Sequence, residues 1–379
     1  MKRNIGNIWL RYLNFKNAFN KKTKFEKSSI KNILLIELSR MGDVVAMIPA
    51  LKCLMCNFPD CNFSIAVDKN YTGIFSFFIA SGLLNGGNIK LIPNGKTDTI
   101  NGLRSAEEGL QNQHFDLVCS MSPSFRNAFL TLRLKAPYKV GFFRANSLYT
   151  PFLEDNLIEA YGISDFSSIS FKNENIEERG TKICAVLGID LQFQDISDKK
   201  IFPFLSNEPY IVLHPLSGWK YRNWKMQSYA DLINRIIDVT QVQVVIIGSE
   251  EEKLIGEQLK KQIKNKAKIT TVFEAKLETV MQYLSNALLF IGNDSGPLHL
   301  ASALGVQSIG LFGPAPPELT APQSKQNFYF YEKVECSPCE QINCIRPENT
   351  CMDLIRVEEV TQKALQLIKS KLELKEVNA

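Results

Sequence analysis

Four short polar turns, each following an apolar run, carry the residues of this chain that could do chemistry. "GNDSGPLH", 292–299, holds Asp294, Ser295, Gly296, Pro297 and His299. Asp294 and Ser295 are helix-capping types, Gly296 allows close backbone approach, and Pro297 suits a first helical position. The N–H groups and dipole of a helix starting there attract a pyrophosphate. Asp294 would repel that anion, so its carboxylate is expected to hold the turn or touch a sugar hydroxyl. His299, four residues after Ser295, shares its helical face and is more simply a core or supporting residue than a catalyst. "HPLSGWKYRNWK", 214–225, sets Ser217, Gly218, Lys220, Arg222 and Lys225 just past a strand. They suit a phosphate, or else form a basic surface loop packed over Trp219 and Trp224. "GSEEE", 248–252, opens a helix with acids that the positive helix end favours. One of them is also placed to accept from ribose hydroxyls; the sequence does not choose among Glu250, Glu251 and Glu252. In "SRMGDVV", 39–45, Gly42 permits a tight backbone turn and Asp43 is expected at the N-cap of a helix from Val44. A carboxylate bonded to helix N–H groups is a poor base, so Asp43 can take a proton only if it turns away from the cap.

These turns need strands and helices to hold them. Apolar runs Asn32–Leu38, Phe63–Val67, Ile89–Ile92 and Asp116–Ser120 read as strands, and Val44–Asn57 as a helix with Pro49 inside it. After a charged, irregular stretch from about 163 to 205, expected to be a helix and a connector, the alternation restarts. Strands are predicted at Tyr210–His214, Val242–Gly248, Ile269–Phe273, Leu288–Gly292 and Gln307–Phe312. Helices are predicted at Met226–Val239, Glu250–Lys264, Leu277–Asn286, Leu298–Leu304 and Val357–Leu374. The pattern is α/β, two doubly wound parallel-sheet domains, with ligands beyond the carboxyl ends of the strands and a cleft between the halves.

Composition narrows the function further. Hydrophobic content of 45% and charged content of 22% are those of a globular protein. No run approaches the ~20 apolar residues of a membrane span, and no signal peptide is legible, which predicts a cytoplasmic protein. The net charge of +5 is uneven: residues 1–31 carry nine Lys/Arg against one acid, net +8, and the remainder 35 against 38, net −3. Ile5, Ile8, Trp9, Tyr12, Leu13, Phe15 and Phe19 recur at helical spacing, so this tail is either a peripheral contact with an anionic membrane or a solvated extension. No basic stripe continues into the body, which argues against nucleic acid. Cys53, Cys56, Cys61, Cys119 and Cys184 are expected in the core; Cys336-x2-Cys339-x4-Cys344-x6-Cys351 has a count that permits zinc. No G-x-G-x-x-G appears, which excludes the usual dinucleotide fingerprint, and no D-x-D appears, the usual sign of a metal-held nucleotide-sugar.

"ILLIELSRMGDVVAMIPALKCL" and "LLFIGNDSGPLHLASALGVQSIGLFGP" together resemble glycosyltransferase family 9, the ADP-heptose:lipopolysaccharide heptosyltransferases, over about residues 31–360. The resemblance implies a GT-B architecture: two Rossmann-like domains facing a cleft. It divides the chain into a basic tail (1–30), an acceptor-side domain with its connector (31–205), a nucleotide-sugar domain (206–356) and a terminal helix (357–379) returning to the first domain. It also implies an inverting, direct, metal-independent transfer of a sugar, heptose by family, from an ADP-linked donor to a lipid-linked glycan acceptor, without a cofactor. By position, Asp43 matches the family's proposed base, with Gly42 beside the acceptor. Asp294, Ser295, Gly296 and His299 match its donor-binding turn, and Arg222-Asn223-Trp224-Lys225 falls on its K-x-W-P loop with Arg for Lys and Lys for Pro. Ser217, Lys220 and Arg222 then join Glu252 in the donor set, with Arg222 or Lys220 and the helix N-terminus after Ser295 meeting the leaving phosphate. Two other functions fit the same scaffold: a nucleotide-sugar-binding protein without transferase activity, for which Asp43 is only a cap, and a nucleotide-sugar epimerase.

Overall fold

The computed structural model describes residues 25–142 apart from 96 and 123, then 157–161, 175, 180, 182–185, 187–189, 208–339 and 343–377. The chain divides into two compact units, Met1–Lys199 and Lys200–Ala379. That division lies six residues before the one expected from the sequence.

In the first unit, strands β1 (Asn32–Glu37), β2 (Asn62–Asp68), β3 (Ile89–Asn94), β4 (Leu117–Ser120), β5 (Tyr138–Phe142) and β6 (Leu157–Tyr161) form one sheet in the order β3-β2-β1-β4-β5-β6. Every neighbouring pair is parallel. Helices α1 (Met41–Ala46), α2 (Ile48–Asn57), α3 (Thr72–Ala80), α4 (Ile100–Leu110) and α5 (Phe125–Arg133) connect them. Ile33 to Ile36 are wholly buried, as a strand covered on both faces requires. Asp116, just before β4, accepts the N–H groups of Lys31 and Asn32 at 2.9 and 2.8 Å and so pins the start of β1.

One expectation changes here, and two fall largely on residues that are not described. The single helix predicted over 44–57 is two helices meeting at Met47, because Pro49 has no N–H to continue the first. Residues 1–24 of the basic tail, with its apolar spacing, lie outside the described residues. Its end belongs to the domain: Phe25 packs edge-on against Tyr138, and Ile30 is buried with its carbonyl accepting from the Cys61 thiol. The helix and connector expected over 163–205 lie largely outside the described residues.

In the second unit, strands β7 (Tyr210–His214), β8 (Gln243–Ile247), β9 (Ile269–Val272), β10 (Phe290–Asn293), β11 (Ser308–Phe312) and β12 (Asn327–Tyr331) take the order β12-β11-β10-β7-β8-β9. Again every pair is parallel. Helices α6 (Met226–Thr240), α7 (Lys253–Gln262), α8 (Leu277–Ser285), α9 (Gly296–Ala303), α10 (Pro317–Thr320) and α11 (Val357–Val377) complete it. Counted within each unit, the strand order is the same, 3-2-1-4-5-6. Chains leaving the two central strands therefore cross to opposite faces, and a crevice is left at the carboxyl ends of those strands. Those ends are β1 and β4 in the first unit, β7 and β10 in the second.

The terminal helix is anchored in the second unit. There Val360, Ala364, Leu367 and Ile368 are buried in one cluster with Ile233, Ile236 and Ile237 of α6. The residues that recur at helical spacing on α11 meet an apolar stripe on α6, and burying both stripes decides the helix's place. Replacing Ile368, wholly buried, by Ala is expected to destabilise the second unit by about 2–5 kcal/mol, read as a lower midpoint in urea unfolding. An unchanged midpoint would mean that α11 is not part of this core.

Candidate functional site

The crevice of the second unit is organised around Asn293, the last residue of β10. Its wholly buried side chain donates to the Pro215 carbonyl at 2.8 Å. Its Oδ1 accepts from the Trp224 N–H at 3.2 Å and the Tyr229 hydroxyl at 3.0 Å. One amide thus ties the β10 turn to the loop after β7 and to α6. Trp224 is buried and donates its indole N–H to the Ile355 carbonyl at 3.1 Å, whereas Trp219, expected beneath the same loop, is partly exposed. Ser217 is occupied within the loop: its N–H donates to Asn223 Oδ1 at 2.7 Å and its hydroxyl to the Trp219 carbonyl at 2.9 Å. Lys220 is exposed beside the Tyr221 ring, and Lys225 pairs with Asp353.

Arg222 and Asp294 meet across this loop. Arg222 Nη1 donates to Asp294 Oδ2 at 2.6 Å, and the Thr320 hydroxyl donates to the same oxygen at 3.1 Å. Asp294 is buried, so its charge requires such partners. The guanidinium is thereby held at the turn that precedes α9. Of the two capping types at this turn, Ser295 is the N-cap residue of α9, but its hydroxyl makes no capping bond. It contacts the Asn293 carbonyl and His214 Nδ1, each at 3.1 Å. Gly296 opens the helix with Pro297 next, and the Leu298 N–H bonds to the Ser295 carbonyl at 3.1 Å, so fewer N–H groups point outward than a free helix end offers. His299 is buried within α9.

His214, the last residue of β7, joins two of the sequence-predicted turns. Besides Ser295 it reaches Glu252 Oε2 with Nε2 at 3.3 Å. Glu252 also accepts the Ser249 N–H at 2.8 Å. Burial works to raise the Glu252 carboxyl, but the His214 ring and the Ser249 N–H outweigh it and hold it below the ordinary carboxylate range. The structure thus singles out Glu252 from its two neighbours as the acid turned into the crevice. Gly292 serves the same junction, because a Cβ there would come within 2.9 Å of the His214 carbonyl oxygen.

The crevice of the first unit holds the other candidate. Asp43 is not an N-cap: α1 begins at Met41, Arg40 is its cap residue, and Asp43 is the third residue of the helix, half-buried. Gly42 lies inside the same first turn and is not a loop glycine. Behind them stands Glu37, wholly buried at the end of β1. Its Oε1 accepts from the Ser39 N–H at 2.9 Å, the Ser122 hydroxyl at 3.1 Å and Asn127 Nδ2 at 3.3 Å. Asn127 Oδ1 in turn accepts the Leu38 N–H at 2.9 Å. Oε2 is buried without a hydrogen-bond partner among the described residues. Burial, and next the charge of Asp43, push the Glu37 carboxyl up to about 7.

The sequence profile of glycosyltransferase family 9 (heptosyltransferase) matches residues 103–349, most of the chain. The chain belongs to this family. It is a glycosyltransferase. A lipooligosaccharide heptosyltransferase 2 of Campylobacter jejuni is 25% identical over 352 residues, covering 87% of this chain and 96% of its own. Among solved structures, a family 9 glycosyl transferase of Veillonella parvula superposes with a TM-score of 0.73 at 18% identity, covering 92% of this chain and 100% of the other. The ADP-heptose lps heptosyltransferase II of E. coli gives 0.69 at 18% identity, with 90% and 99% covered. The fold is the GT-B type of these heptosyltransferases.

Within this family frame, the sequence motifs located both crevices but missed their supports. His214, Asn293 and Thr320 stood unassigned, as did Glu37, Ser122 and Asn127. Glu37 did leave a signal, an acid closing an otherwise apolar strand, "NILLIE". Of the cysteines expected in the core, Cys56 is exposed and the other four are buried. In the late cluster all four are free thiols, burial pushes the Cys351 thiol up to about 11, and no group of three described His, Cys, Asp or Glu residues is arranged to hold a metal ion. No helix among the described residues is long and apolar enough to cross a membrane. Asn293→Ala leaves the Trp224 N–H and Tyr229 O–H buried without their acceptor. A loss of about 2 kcal/mol or more in urea unfolding is expected, together with weaker nucleotide binding by calorimetry.

Proposed function

We propose that this glycosyltransferase moves a sugar, heptose, from an ADP-linked donor to a lipid-linked glycan of the lipopolysaccharide type, with inversion and without a divalent metal or other cofactor. The observation that carries this is the Arg222–Asp294 pair at the turn before α9, a guanidinium fixed at the crevice of a nucleotide-binding type of sheet. Asp294 is then a positioning residue, and the cation it aims, with Lys220 and the Gly296 end of α9, meets the diphosphate. Ser295 and Glu252, bridged by His214, line the same crevice and suit a phosphate and a ribose edge. Ser217 shapes the loop through its own backbone bonds, and His299 supports α9 from within. The ADP donor and heptose are supported by family membership and by the similar ADP-heptose lps heptosyltransferase II of E. coli.

Asp43 is the proposed base. The acceptor O–H bond breaks and its proton passes to the Asp43 carboxylate, while the oxygen's electron pair attacks the anomeric carbon from the face opposite the diphosphate. The bond from that carbon to the diphosphate oxygen breaks, and the electron pair leaves on the phosphate, where positive charge stabilises it. The position of Asp43 inside the helix, not at its cap, supports a carboxylate available for this step. The absence of D-x-D in the sequence supports phosphate binding by protein cations alone. The basic residues of the tail supply a further proposal, peripheral contact at the inner face of the cytoplasmic membrane where a lipid-linked acceptor would lie.

Asp43→Asn is expected to lower kcat by about 10²-fold or more while the affinity for ADP, measured by calorimetry, stays as in the wild type. Undiminished transfer by the variant would remove Asp43 from the mechanism. Chelation by EDTA is expected to leave the transfer rate unchanged in a product assay by mass spectrometry. A strict requirement for added Mg²⁺ or Mn²⁺ would overturn the metal-independent step.

A further inference from the structure

Among the described residues, Glu37 is a wholly buried acid with one oxygen left without a hydrogen-bond partner. Burying an ionisable side chain is costly unless it is paired or carries a proton. Glu37 has no cationic partner among the residues bonded to it. Ser39, Ser122 and Asn127 are neutral and all donate to one oxygen, Oε1. They fix the side chain and leave Oε2 buried without a partner. The charged group that acts on it is Asp43, a like charge, on the helix that follows β1. A purely structural network at this place needs only a neutral acceptor, which a glutamine supplies. An acid held there instead keeps a proton whose binding depends on the charge of Asp43.

We propose that Glu37 is a positioning residue for the transfer step, a buried acid whose charge drives the acceptor's proton onto Asp43. This rests on Asp43 being the base. The repulsion between two like charges is reciprocal, so a negative Glu37 favours the step in which Asp43 becomes neutral. Below about pH 7 Glu37 holds its proton and exerts no charge; above it the carboxylate is negative. The negative form favours the step in which the acceptor O–H breaks and Asp43 accepts the proton. Once Asp43 is neutral, the repulsion is relieved until Asp43 gives that proton to water and the pair is reset. Transfer should therefore rise as pH increases through 7.

Glu37→Gln keeps the acceptor oxygen and removes the charge. Its stability gives a fold control with a defined sign. A carboxyl whose pKa is raised on folding costs stability once pH exceeds its unfolded value, so Glu37→Gln should melt no lower than wild type at pH 8. In the pH profile of kcat, the wild-type limb near pH 7 is expected to vanish in Glu37→Gln, with kcat at pH 8 several-fold lower and the donor KM unchanged. Glu37→Asp, which restores a carboxyl, is expected to restore a limb. A Glu37→Gln profile superimposable on wild type overturns the proposal. Infrared titration of the ¹³C-glutamate-labelled protein provides a measurement that does not depend on a Glu37 variant folding. One buried carboxyl is expected to ionise near pH 7 in wild type, and at lower pH in Asp43→Asn, where the neighbouring charge is gone. A midpoint that does not move in Asp43→Asn also overturns the coupling. If Asp43→Asn transfers like wild type, the assignment of the base has failed; if it is inactive and Glu37→Gln is unchanged, only the role of Glu37 has.

Discussion

A parallel sheet wound in both directions from its centre has one place its own connections cannot cover. The two central strands send the chain to opposite faces, and the gap between their carboxyl ends stays open. In each unit of this protein the candidate site residues stand at that gap. Glu37 ends β1 and Ser122 follows β4; His214 and Asn293 end β7 and β10. Backbone groups at such ends have no further ladder to join, so side chains must satisfy them. Asn127 takes the Leu38 N–H, and Asn293 takes the Pro215 carbonyl and the Trp224 N–H.

The two gaps are filled with opposite electrostatics. In the second unit a buried carboxylate, Asp294, is balanced by Arg222, and a second acid, Glu252, is held against His214. Each negative charge there has a cationic or proton-bearing partner, and the assembly is suited to holding an anionic ligand in one orientation. In the first unit two carboxyls, Glu37 and Asp43, act on each other with no such balance in the network that binds Glu37. Paired charges make a rigid seat. Like charges make a site whose protonation responds to its neighbours, and this is the property a proton-accepting step requires.

Much of the architecture was legible because periodicity is a local property. Apolar runs buried on both faces mark parallel strands, and the strand–helix alternation marks two doubly wound units. β5 and β6 escaped, as did β12, whose residues "NFYFY" are all half-buried at a sheet edge. The turns at 41–43 and 292–299 were legible for a similar reason, since Gly, Asp, Ser and Pro have strong local preferences. The register within a turn was less so. Asp43 moved from the cap into the helix because Met41 and Gly42 were free to become helical, and no capping bond opposed it.

By itself, the sequence determined the fold class, the family and the position along the chain of both candidate sites, because each depends on short-range pattern and composition. Only the tertiary structure decided which acid of three faces the second crevice, since that choice depends on His214, 38 residues away along the chain. It also decided that Arg222 is aimed by Asp294, that α11 packs on α6, and that a buried acid stands behind Asp43. Each of these is a contact between residues far apart in sequence, set by strand order and by the burial of facing surfaces, and neither quantity can be read from any single stretch of the chain.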